Sequence, residues 1–251
     1  MYEPRTYRNL VVGGDLVAFT VQVEETDLYV RAKRDLSGEA LSVVRELRSS
    51  LESYIAGHPN FRSSLKPLAV SRDAPPIVQE MARAATKAGV GPMAAVAGAV
   101  AEGVGRALLE RSPEVIVENG GDIFLKVRTA RRVLIYAGGS PLSNKLSLEV
   151  EPERTPLGVC TSSGTVGHSL SFGAADAVTV LSRSTALADA AATAIGNAVK
   201  SDGDIERGLA LGKGIEGVEG IVIIVADTMG VWGNAVLSSA SATRQPPSKK
   251  P

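Results

Sequence analysis

"EVIVENGGDIFLKV", residues 114–127, sets two short apolar runs on either side of Asn119-Gly120-Gly121-Asp122. Asn-Gly and Gly-Gly tolerate the positive φ angles that a tight hairpin loop demands, so the stretch reads as two antiparallel strands, 114–118 and 123–129, joined by a turn. The same glycines could instead bare backbone amides to a ligand, with Asp122 binding a polar group beside them. Working outward, further strands are expected at 132–137, 145–150, 156–161 and 175–182, and two more in "GIVIIVAD" and "GVWGNAV". Upstream, "DLVAFTVQVEE" and "DLYVRAKR" alternate apolar and polar residues around a short polar turn and predict another hairpin.

Helical spacing takes over at 37–57, where Leu41, Val44, Leu47, Leu51 and Ile55 fall on one face and Gly57 is a stop. A second helix is predicted from Pro75-Pro76 to Gly89, because proline suits a first turn and glycine a C-terminal cap. A third should run from Pro92 to about Arg111 through "GPMAAVAGAVAEGVGRALLE", whose small residues permit close approach. "STALADAAATAIGNAVKS" is a strong helix with Ser184 as N-cap, and a short helix follows near 204–211. Strands come in runs and helices in separate runs, which predicts α+β layers over a doubly wound parallel sheet. One domain is expected over 1–237, with any division into lobes near 58–76, followed by a disordered polar tail at 238–251.

Composition narrows the partners. The 251 residues carry 27 basic and 27 acidic side chains, so no net field draws in nucleic acid or an anionic membrane. At 4% aromatic content, a stacking platform for single strands is not expected either. A single cysteine, Cys160, leaves no internal disulfide and no cysteine-based zinc site. No apolar run reaches membrane-spanning length, and the cytoplasm is the expected compartment.

Candidate chemistry sits in four places. Asp189 and Thr193 are four residues apart, hence on one helix face, and offer two hard oxygens of the kind Mg²⁺ takes; taken locally, the string reads first as an Ala-rich packing helix with an acid near its N-terminus. The loop "CTSSGTVGHSLSFG", 160–173, clusters hydroxyls and glycines around His168, which could act as a general base. The helix starting at Pro92 presents free amides, though without P-loop spacing or its lysine. Cys160, inside a predicted strand, reads as core, and His58 as a helix cap or surface residue.

In their order, "AAVAGA" (94–99), "NGGDI" (119–123), "TSSG" (161–164), "GHS" (167–169) and "ADAAATA" (188–194) resemble the motifs of the ApbE-like superfamily, whose best-known members are FAD:protein FMN transferases. Over nearly its whole length the chain is most similar to an uncharacterised prokaryotic branch of that superfamily. The resemblance implies a T-fold-related layered fold with a mostly antiparallel sheet and packed helices. It implies Mg²⁺ held by Asp189, Thr193 and the Ala97 carbonyl. It also implies a FAD, FMN or related nucleotide bound by Gly120, Gly121, Asp122, Ser163 and Gly164, with His168 as the base. The expected partner is thus a small-molecule flavin or nucleotide, neither a nucleic acid polymer nor a membrane; a homo-oligomer is compatible with the sequence. Two departures stand out: Gly98 replaces the lysine of the family's "AKG", and "SLSFGAADAV" after His168 lacks the "DPxTG" pattern. They leave open a non-catalytic ligand-binding or interaction module that keeps the fold.

Overall fold

The structure is a computed structural model, and it describes residues 15–164 and 173–240. Strands β1 (Val17–Val23) and β2 (Thr26–Ala32) form the expected first hairpin, and α1 (Ser37–Gly57), the short α2 (Asn60–Ser63) and α3 (Pro76–Ala88) follow. Helix α4 (Val96–Leu108) leads into β3 (Val115–Asn119), β4 (Asp122–Lys126), β5 (Arg131–Leu134), β6 (Leu146–Val150), β7 (Leu157–Ser162) and β8 (Ala177–Ser182). The chain then forms α5 (Thr185–Ala198), α6 (Ile205–Lys213), β9 (Val218–Val225), β10 (Thr228–Gly233) and β11 (Leu237–Ser239).

Eight strands form one sheet in the order β1-β2-β3-β4-β7-β8-β9-β10, and β11-β6-β5 form a second. Neighbouring strands in both sheets are antiparallel. Because β2 pairs with β3, the segments on either side of 58–76 share one sheet. The period-two alternation of the central strands explains the layering. Phe124 points into a core shared with the helices, alongside Val30, Val117, Val180, Met81, Val100 and Ile195. Its neighbours Ile123 and Leu125 point the other way, into a second core with Val133, Leu148 and Val150 of the small sheet. Helices, large sheet and small sheet therefore stack as three layers, the α+β arrangement the order of elements predicted.

Local signals held at several ends. Gly89 closes α3 in the left-handed region at φ 72°, Ser184 caps α5 by accepting the Leu187 amide, and His58 sits at the C-terminus of α1 with Nδ1 3.0 Å from the Tyr54 carbonyl. Two expectations need correction. The helix predicted from Pro92 to about Arg111 is broken: Pro92–Ala95 is a 3-10 turn, and the α-helix starts afresh at Val96. The predicted tail begins too early, since Ser238 and Ser239 pair with Ser147 and Leu146 and satisfy an otherwise open edge of β6. Residues 241–251 lie outside the described residues. Among the described residues no single helix is long and apolar enough to cross a membrane, and the apolar stretch spanning α3 and α4 is bent by 103°.

Candidate functional site

The site is built where the β3–β4 hairpin meets the start of α4 and the middle of α5. The hairpin loop is Gly120-Gly121, with φ of +68° and +106°, and Asn119 pairs with Asp122 across it. Both positions need the backbone freedom that glycine has, so the turn reading of the sequence stands. The Gly121 amide is already engaged, donating to Glu118 Oε1 at 2.9 Å. Gly120 is exposed, with open space around its Cβ position.

Asp122 opens β4 on the face that carries Phe124, toward the helices. The Ile123–Val159 pairing brings Asp122 beside Cys160 of β7, whose thiol lies against the carboxylate. Asn119, Asp122 and Cys160 thus form a short polar row across three strands, continued by buried Leu28 on one side and Val180 on the other. Above the row, Asn119 Nδ2 donates to the Ala97 carbonyl at 3.1 Å. Asp189 Oδ2 accepts from the Gly98 amide at 2.9 Å.

The restart of the helix at Val96 explains that last contact. First-turn amides of a helix lack intrahelical partners, and the positive end of the helix dipole favours a carboxylate there. Asp189, from a different helix, takes the position. Thr193 lies one turn further along α5 on the same face and is partly exposed. Ser163 and Gly164 leave the end of β7, and the Gly164 amide bonds the Ala175 carbonyl at 2.8 Å. The structure therefore brings Ala97, Asp122 and Asp189 together around the polar row, with Thr193 one turn further along α5 and Gly120-Gly121 at its rim. His168, the expected base, lies outside the described residues.

The electrostatics are unusual for acids in a fold. Burial pushes the Asp122 carboxyl up to about 7, against the pull of the Cys160 thiol and the Thr161 amide and with the Glu118 charge adding to the rise. Burial also raises Asp189 well above the ordinary carboxylate value, and the negative charge of Asp122 adds to it, outweighing the Gly98 and Ala97 amides. The Cys160 thiol is pushed up by burial and by both aspartates. Among the described residues no group of three or more His, Cys, Asp or Glu side chains could hold a metal ion. The carboxylate of Asp189, the hydroxyl of Thr193 and the carbonyl of Ala97 are nonetheless all hard oxygens, and a hard cation would relieve two acids that no base among the described residues neutralises; the residues fit Mg²⁺.

Three contributors escaped the sequence reading. Asn119 stood in the quoted motif, but its contact with Ala97 depends on the face it shares with Val115 and Val117, which strand alternation could have shown. Cys160 is buried in a strand as expected, yet it borders Asp122 because of a strand register that no local string encodes. Glu102 holds the first amide of α5, as described below.

Comparisons with known proteins bear on the fold and the kinship of the chain. The family model described as "AbpE bacteria" matches residues 8–213. A "UPF0280 protein" of Methanothrix thermoacetophila is 46% identical over 196 residues, covering 77% of this chain and 82% of the relative. Another, of Methanospirillum hungatei, is 43% identical over 215 residues, covering 85% and 86%. The solved structure of "Flavin Transferase ApbE from Vibrio cholerae" is similar at TM-score 0.59 and 15% identity, covering 86% of this chain and 96% of that one. The apo "Pseudomonas stutzeri flavinyl transferase ApbE" is similar at TM-score 0.58 and 16% identity, covering 90% and 95%. At such identities the likeness speaks for the fold, while the family match and the archaeal relatives speak for kinship: this chain belongs to the ApbE-like family whose model it matches, on the branch of the archaeal UPF0280 proteins.

Proposed function

We propose that this protein binds a flavin or related nucleotide together with Mg²⁺, and that the pyrophosphate of the bound ligand is the bond it cleaves or transfers. The observation that carries the reading is the Asp122–Asp189 pair, two buried acids set against the first turn of α4 with no basic side chain among the described residues neutralising either. Asp189, Thr193 and the Ala97 carbonyl would hold the metal, which when bound supplies charge neutralisation for the phosphates and the leaving group. Asn119 fixes the direction of the Ala97 carbonyl through its side-chain amide. Asp122 orients the ligand by hydrogen bonding, and Gly120, Gly121, Ser163 and Gly164 form the rim that would admit it. His168 would take the proton from the acceptor, a protein hydroxyl or water. With FAD, the acceptor oxygen forms a bond to the flavin-side phosphorus, the bond to the AMP oxygen breaks, and AMP leaves.

A second reading is a non-catalytic module, and one packing detail favours it. A Cβ at Gly98 would lie 2.4 Å from the Thr185 carbonyl oxygen, so no side chain, including the family's lysine, fits at this position in the present packing. Incubation with FAD and Mg²⁺ separates the two, read by chromatography of the nucleotides and by calorimetry. Binding with release of FMN and AMP is the expected result. Binding without products supports the module, and the absence of both overturns the proposal.

A further inference from the structure

Helices α4 and α5 hold each other by two exchanged contacts. Gly98 of α4 gives its amide to the Asp189 carboxylate of α5, and Thr185 of α5 gives its amide to Glu102 Oε2 of α4 at 2.7 Å. In each helix the two residues are four apart, one turn, so both contacts lie along a single line between the helices. Thr185 is the first residue of α5, and its amide, like that of Gly98, has no partner within its own helix. Glu102 is buried, and its other oxygen accepts from Arg106 Nε at 2.8 Å. The Thr185 carbonyl, in turn, accepts from the Cys160 thiol at 3.3 Å, which ties the contact to the polar row beneath. Gly98 makes the approach possible, since a side chain there would collide with the Thr185 carbonyl and the Asp189 Cβ.

We propose that Glu102 is a positioning residue that sets Asp189 against the first turn of α4. Its hydrogen bonds go to the Thr185 amide and to Arg106, not to Asp189 or Ala97. By fixing the start of α5 it fixes how far along α4 the Asp189 carboxylate falls, and with it the separation of Asp189 from the Ala97 carbonyl. What matters is the reach of an acceptor to the Thr185 amide, more than the charge, because Arg106 is largely exposed and its ion pair is weak. The consequence for Mg²⁺ affinity rests on the function proposed above; the helix contact itself does not.

The test has a metal-free arm and a metal arm, both on the full chain. In the first, amide hydrogen exchange is followed without metal in wild type, Glu102→Gln, Glu102→Asp and Arg106→Ala. Glu102→Gln keeps an acceptor at the same reach and should retain protection at Gly98. Glu102→Asp, shorter by one methylene, should speed exchange at Gly98 at least tenfold while Val117 and Val180 in the sheet are unchanged. Arg106→Ala should leave Gly98 as in wild type. A role in general stability would instead raise exchange at all these amides together. Unchanged exchange at Gly98 in Glu102→Asp overturns the proposal. In the second arm, MgCl₂ is titrated calorimetrically, and Glu102→Asp should weaken the midpoint at least tenfold while Glu102→Gln stays within about threefold. Faster exchange at Gly98 with an unaltered Mg²⁺ midpoint overturns the link to the Asp189 corner. Absence of Mg²⁺ binding in wild type overturns the metal reading, and the exchange arm still decides the helix contact.

Discussion

The two ends of the β3–β4 hairpin treat acidic residues in opposite ways. At the open end, Glu114 is buried beside two bases: Lys33 Nζ lies 2.7 Å from one oxygen and Arg131 3.4 Å from the other, which also accepts the Arg128 amide. Asp15 extends the cluster by pairing with Arg131 at 2.9 Å and Lys33 at 3.2 Å. Burial alone would raise Glu114, but these partners outweigh it and hold the carboxyl below its ordinary value. At the turn end, Asp122 meets Glu118 and Asp189 and, among the described residues, no base, and the same burial drives it up to about 7. One hairpin shows that burial does not decide an acid's fate; the sign of its neighbours does. The open end behaves as a structural clasp, and the turn end as a place left short of positive charge.

The largest effect should come from breaking the clasp. Glu114→Ala leaves Arg131 buried with Asp15 as its remaining ion-pair partner among the described residues, and urea unfolding should register a loss of about 3–5 kcal/mol. The turn end should respond in the other direction. With its folded value raised, Asp122 contributes stability that is fully present below about 3.8 and lost as pH rises to about 7. Asp122→Asn should therefore stabilise the metal-free protein at pH 8 by on the order of 2–4 kcal/mol, and should flatten the decline in Tm between these pH values. Glu114, with its value lowered, gives the mirror image: its stability is present above about 4.5 and lost below it, and Glu114→Gln should flatten only that acid limb. A smaller change follows from Gly98→Ala, whose methyl would meet the Thr185 carbonyl and the Asp189 Cβ; overpacking of that kind costs about 1–3 kcal/mol and should also weaken any Mg²⁺ response. Smallest is Asn119→Ala, which removes one hydrogen bond to the Ala97 carbonyl, about 1 kcal/mol by thermal unfolding.

What the chain reveals on inspection is what local chemistry decides. Gly120-Gly121 between alternating runs specifies the hairpin, and Ser184 ahead of "TALADAAATAIGNA" specifies where α5 begins, because each signal acts within a few residues of itself. Asp122 and Asp189 were recognisable through the order of the motifs. Their adjacency to Cys160, Asn119 and Gly98 was not, because it arises from strand register and from how closely α4 and α5 pack. The break at Ala95 was hidden for a related reason: "PMAAVAGA" has uniform helical character, and the fold, not the string, interrupts it. That interruption is what places the Gly98 amide at the start of a helix and so within the reach of Asp189.

The central claim is that the turn end, short of positive charge among the described residues, is completed by a divalent cation, on which the phosphates of a nucleotide then bind. It is tested most directly by calorimetric titration of MgCl₂ into the protein at pH 7 with FAD present, in wild type and in Asp189→Asn. Saturable Mg²⁺ binding in wild type that Asp189→Asn weakens by at least tenfold is the predicted result. Equal binding in the two proteins, or none in either, would contradict it.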